Sequence, residues 1–170
     1  MPGPIKAYVR AIDALNRVIG RLVMYLIFAM MGVLLLSTGS RTLLGVSYIW
    51  VVEMAQFLMT AYYLLGGGYS MQLDSHVRMD LLYTRWTPRT RAAVDAVTVS
   101  FLLFYLIVLL VGALSSTQYA IEYGQKNYSS WAPPLAPIKI VMVIGIALML
   151  LQVVAVFFKD LAKARGEEIG

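Results

Sequence analysis

Few side chains in this sequence could act on anything. Glu53 stands in "YIWVVEMAQFL", residues 48–58, with mostly apolar neighbours. An ionisable group within a membrane segment is a candidate for moving an ion or proton, or for meeting a partner. Gln56 follows three positions later, on a neighbouring face of a helix. The single histidine, His76, lies between Asp74 and Asp80. That trio could ligate a metal, but one histidine with i, i+4 spacing often arises by chance. A cap or loop brace is the plainer role. Bis-histidine haem ligation needs a second histidine, which an isolated chain does not offer. The absence of cysteine excludes disulfides, thiolate nucleophiles and cysteine-bound metals. Gln152 sits deep in another apolar run, and Ser115, Ser116, Thr117 and Gln118 cluster in a third. This inventory lacks the convergent acids, bases and ligands of an enzyme, so neither catalysis nor a cofactor is expected.

The elements that must hold these groups are made for lipid. Of 170 residues, 60% are hydrophobic and only 14% charged, with a mean hydropathy of +0.74. Soluble domains carry roughly 25% charge. The net charge of +5 is dispersed around apolar runs, which argues against nucleic acid as a partner and for membrane lipids. Uncharged runs cover 22–40, 54–73, 96–121 and 140–158. Each is close to the ~20 residues that cross a bilayer as a helix. No stretch alternates as a barrel strand does. The expectation is a single all-α integral membrane domain, 1–170, with four transmembrane helices over about 22–40, 50–73, 92–121 and 138–158.

Basic residues set the orientation. Lys6, Arg10, Arg17 and Arg21 precede the first span; Arg78, Arg85, Arg89 and Arg91 separate the second from the third. Lys159, Lys163 and Arg165 follow the fourth. Only Arg41, Lys126 and Lys139 fall on the other side. Both termini are therefore expected in the cytoplasm. The first apolar run exceeds the 7–15 residues of a signal peptide and reads as an uncleaved helix. Thr87-Pro88 reads as N-cap and first residue of the third helix, running to about Tyr123, and Pro137 opens the fourth. Ile5, Val9 and Ile12 share a face near the N-terminus, which predicts a short interfacial helix there. A second is expected between spans two and three, where Val77, Met79, Leu81 and Trp86 mix with Arg78, Asp80 and Arg85.

Gly66, Gly67 and Gly68 could mark an unwound site, but glycines in membrane helices more often allow close packing, here on a partner helix. In the loop before the fourth span, "EYGQKNYSSWAPPLAPIKI", Tyr119, Tyr123, Tyr128 and Trp131 fit an aromatic belt. Pro133, Pro134 and Pro137 stiffen the chain. That segment reads either as a partner surface, with Trp131 and Pro134 shaping it, or as an anchored turn.

Three stretches in order resemble the small membrane subunit, or DctQ-type small permease, of tripartite ATP-independent periplasmic (TRAP) transporters. They are "SRTLLGVSYIWVVEMAQF", "LLGGGYSMQLDSHVRMDLL" and "NYSSWAPPLAPIKI". Within them, Trp50 precedes an acidic residue, His76-Val77-Arg78-Met79-Asp80 alternates, and Trp131 leads into Pro134 and Pro-Ile-Lys. Val52 stands where the family often has a second acid, and Ala136 where an aromatic is common. The resemblance implies a subunit of a bacterial inner-membrane importer that takes up organic acids on a sodium gradient. It implies two partners: a large membrane subunit carrying the substrate and sodium sites, and a periplasmic substrate-binding protein. This chain would be their non-catalytic scaffold.

The competing reading is an autonomous, homodimeric, proton-coupled transporter using Glu53. Depth speaks against it. If Ser47 caps the second helix, Glu53 lies within about two turns of the outer end, where a helix N-terminus favours negative charge. Arg41, Trp50 and Glu53 would then brace the outer ends of the first two helices, with Arg41 and Glu53 as a possible ion pair.

Overall fold

In a computed structural model, which describes residues 2–72 and 84–165, the chain folds as four helices. They are α1 (Gly3–Leu43), α2 (Val51–Gln72), α3 (Pro88–Glu122) and α4 (Ala136–Ala164). The described residues contain no strand, only an isolated bridge between Lys126 and Pro134. The boundary of α3 follows its sequence signals. Thr87 is the N-cap, its hydroxyl accepting the Thr90 N–H at 3.4 Å, and Pro88 takes the first position. Pro137 falls in the first turn of α4.

The N-terminus departs from expectation. There is no separate interfacial helix: α1 is one helix of 41 residues, about 60 Å long. No proline falls between residues 5 and 21 to end it. Val9, Ile12, Asn16, Gly20 and Val23 form one buried stripe at three- and four-residue spacing that runs through the charged half of the helix. The second expected interfacial helix, with His76 and Asp80, lies largely outside the described residues.

The expectation of four spans is met in part. Among the described residues, three helices are long and apolar enough to cross a membrane: α1, α3 and α4. At 22 residues α2 has the length, but Glu53, Gln56, three tyrosines and three glycines dilute its hydropathy.

The helix α4 is the hub. It packs against α1, α2 and α3; α1 and α2 also pack on each other, and α3 rests mainly on α4. The burial of the most apolar stretch follows: 33% of residues in α4, 11% in α3. Leu106, Ala113, Thr117 and Ala120 make a single buried stripe on α3, while Phe101, Phe104, Tyr105 and Val111 are exposed. Between α2 and α4 the backbones come close: a Cβ on Gly145 would lie 2.7 Å from the Leu64 carbonyl oxygen. In lipid, where apolar surface gains nothing by leaving solvent, such close packing is a main source of helix association.

Contacts also give the register. Asn16 meets Gln152, and Tyr8 meets Phe158 edge-on at 6.4 Å, so α1 and α4 are antiparallel, with both chain termini at one end of the bundle. At that end Val9, Ile12, Ala155 and Ala162 form the buried apolar cluster, flanked by Tyr8 and Phe158. This register sets residues 16–21 of α1 beside the apolar run of α4, below which the sequence alone would have placed them.

Candidate functional site

Polar side chains gather at two places, each at one end of α4. At the end carrying the termini, Asn16 is buried and Gln152 fully so. Asn16 Nδ2 donates to Gln152 Oε1 at 2.9 Å and to its own helix at the Ile12 carbonyl, 3.3 Å. Gln152 Nε2 donates to Asp13 Oδ1 at 3.0 Å, and Lys159 Nζ pairs with Asp13 Oδ2 at 2.5 Å. Lys159 lies seven residues after Gln152 and Asp13 three before Asn16, so each pair shares one helix face. Asn16 Oδ1 has no hydrogen-bond partner among the described residues and faces Gly68 of α2. A Cβ on Gly68 would overlap that oxygen. The Tyr8 hydroxyl adds a bond to the Leu151 carbonyl at 3.2 Å.

At the opposite end Lys139 holds α3 and the loop before α4. Its Nζ donates to Ser116 Oγ at 2.9 Å and Gln125 Oε1 at 2.7 Å, and more weakly to the Ser116 carbonyl at 3.4 Å. Thr117 Oγ1 donates to the Ala113 carbonyl at 2.7 Å and reaches the Lys139 carbonyl at 3.3 Å. Residues 124–135 form a tight hairpin: Asn127 N–H donates to the Pro133 carbonyl and Leu135 N–H to the Gln125 carbonyl, both at 3.0 Å. Ala132 adopts a left-handed φ of 47°, stabilised by its N–H donating to Ser129 Oγ at 3.1 Å. Pro133 is buried; Trp131 and Pro134 are exposed, and Tyr128 projects fully into solvent.

Near the same end lies Glu53, in the first turn of α2. It is 8% exposed, and its Oε2 is buried without a hydrogen-bond partner among the described residues. Arg41, exposed in the last turn of α1, makes no ion pair with it. The Arg41–Glu53 pair anticipated from charge is therefore not formed within the chain. Ser47 is not the cap of α2, which starts only at Val51. Trp50 is half-buried and packs against Tyr48 with ring centroids 6.0 Å apart.

The glycines Gly66, Gly67 and Gly68 are helical, not unwound. Their packing is inside this chain: Gly68 on Asn16 of α1, Gly67 on Met149 of α4, with a Cβ at 2.8 Å, and Gly66 only loosely near Val23 at 3.9 Å. An open groove of about 620 Å³ between α3 and α4 is mostly aliphatic, with Gln118 and Glu122 at one end. Another of about 480 Å³ is lined by residues of all three core helices, including Gly20, Tyr62, Gly66 and Met149. Glu53 lines neither.

Reading single residues missed Asp13, Asn16, Lys159 and Lys139. The available signals were the 9-12-16-20-23 stripe through a charged segment and the seven-residue spacing of Gln152 and Lys159.

Four helices, three of them long and apolar enough to cross a membrane, with most of the site's polar groups bonded between helices, describe a membrane protein. Residues 30–163 match the family model for tripartite ATP-independent periplasmic transporters, DctQ component. The chain belongs to the DctQ family. It is therefore a component of a TRAP transporter, as the three motif stretches implied. The matched region takes in Arg41, Trp50, Glu53, both lysine anchors on α4 and the hairpin before α4; Asp13 and Asn16 precede it. No curated protein matches the chain.

Proposed function

We propose that this DctQ component is the non-catalytic scaffold subunit of a TRAP-type importer. It supports a large membrane subunit during sodium-driven uptake of organic acids, which a periplasmic binding protein delivers. It lies in the bacterial inner membrane with both termini cytoplasmic, and α2 is the fourth span, shielded by α1 and α4. One observation carries the reading. Asn16, Gln152, Lys139 and Lys159 bond to groups of this chain's own helices and loop, and the glycine run is unbroken helix. Mid-membrane transport sites instead use interrupted helices and polar groups facing a cavity.

Glu53 is a buried carboxylate that the fold leaves unpaired among the described residues. A buried oxygen without a hydrogen bond is a cost of about 1–3 kcal/mol. Its place in the first turn of α2 lowers that cost, because the helix N-terminus favours negative charge. We assign it to assembly with the large subunit. Glu53→Gln is expected to leave the purified chain folded and to weaken copurification with that subunit, with uptake falling in proportion. Normal assembly with uptake abolished would contradict the assignment and favour the second reading, a homodimeric proton-coupled carrier. That reading draws on the same unpartnered carboxylate. It requires proton-driven flux in proteoliposomes holding this chain alone, and it fails if none is seen.

A further inference from the structure

The charged half of α1 carries its basic residues in one row. At 100° per residue, Lys6, Arg10, Arg17 and Arg21 fall within an arc of about 60°. The three arginines are exposed, and none of the four has an ion pair or hydrogen bond among the described residues. The acid on the same helix, Asp13, borders the row on the side of the buried stripe, and it is taken by Lys159 and Gln152. An adjoining stripe of α1 exposes Leu15, Val18 and Leu22.

Register fixes the depth of this row. Arg17 follows Asn16, which bonds to Gln152, and Arg21 follows Gly20, which lies against Tyr69. Gln152 is six residues short of Phe158, where the uncharged run of α4 ends. Arg17 thus stands about 9 Å inside that boundary, and Arg21 about 6 Å deeper. An exposed arginine at hydrocarbon depth needs an anion or a route to the interface. Helical side chains lean toward the helix N-terminus, here the end of the bundle where the apolar run gives way to Lys159. Arginine stems reach about one helical turn along an apolar surface while their guanidinium heads seek polar company.

We propose that Arg17 and Arg21 form a seat for the headgroup of an acidic phospholipid of the cytoplasmic leaflet. Leu15, Val18 and Leu22 lie against its acyl chains, and Arg10 and Lys6 extend the positive field into the cytosol. Guanidinium pairs bidentately with phosphate oxygens, which suits two arginines one turn apart to a single headgroup. The inference rests on the membrane placement proposed above and not on the subunit role.

The test uses the full chain extracted from nanodiscs of phosphatidylethanolamine with a minor share of phosphatidylglycerol, the retained lipid being read by native mass spectrometry. Wild type should retain phosphatidylglycerol in preference. Arg17→Gln with Arg21→Gln should weaken retention about 30-fold, at roughly fivefold per charge. Arg85→Gln with Arg89→Gln, which removes the same charge beside α3, should not. Arg17→Lys with Arg21→Lys should keep much of the preference and covers the case of a glutamine variant that misfolds. Equal losses in both glutamine pairs would overturn the proposal, as would a wild type without preference. A wild type that retains no acidic lipid, whose Arg17 and Arg21 variant fails to copurify with the large subunit, would also overturn it, by making the counter-ion a protein acid. None of these outcomes depends on transport.

Discussion

Lys139 and Lys159, toward opposite ends of α4, meet different company. Lys159 meets a carboxylate, Asp13, which is itself held by Gln152. Among the described residues, Lys139 meets only neutral oxygens, from Ser116 and Gln125. The first arrangement closes a charge pair between helices far apart in sequence and ties α1 to α4. The second ties α3 to its neighbour through bonds that water or another protein's groups could replace. At the end carrying the termini, α1 and α4 are thus held together by a charge pair. At the other end α3, resting mainly on α4, is the element with the most freedom to adjust.

This contrast can be broken from its strongest point downward. Gly68→Ala should act most, about 3 kcal/mol, because the new methyl drives into Asn16 where Asn16 is already held by Gln152. Thermal unfolding in detergent would read it, together with loss of the α1–α4 contact. Asp13→Ala should cost about 2 kcal/mol. That is less than the 3–5 of a fully buried pair, since Lys159 and Asp13 retain 26% and 14% side-chain exposure. Lys139→Met should cost about 1 kcal/mol, visible as faster amide exchange in α3 with the core unchanged. Gly66→Ala should stay within about 0.5 kcal/mol, because its Cβ finds only ordinary contact. If Lys139→Met destabilised more than Asp13→Ala, the picture of a firm core and an adjustable α3 would be wrong.

The helical class, the ends of α3 and the family were legible because they are local. Thr87-Pro88 is a cap wherever it occurs, and uncharged runs of twenty residues leave little choice but helix. What was hidden is tertiary. Asp13 and Lys159 are separated by 146 positions, and only the antiparallel register of α1 on α4 brings them together. The N-terminal basic cluster reads as a separate amphipathic segment because its charges are obvious, whereas its buried stripe gains meaning only when continued through Gly20 into Val23. The glycine run was read as a packing device, but its partners, Asn16 and Met149, are in this chain. Glu53 and Arg41 show the converse: opposite charges that seem close by topology are not paired here.

The scaffold role is tested most directly by reconstitution. Proteoliposomes would contain the large subunit with its binding protein, this chain alone, or all three, and sodium-dependent uptake of the organic acid would be measured. The account predicts uptake with the complete set, little with the large subunit lacking this chain, and none with this chain alone. Sodium-dependent uptake by this chain alone would contradict it.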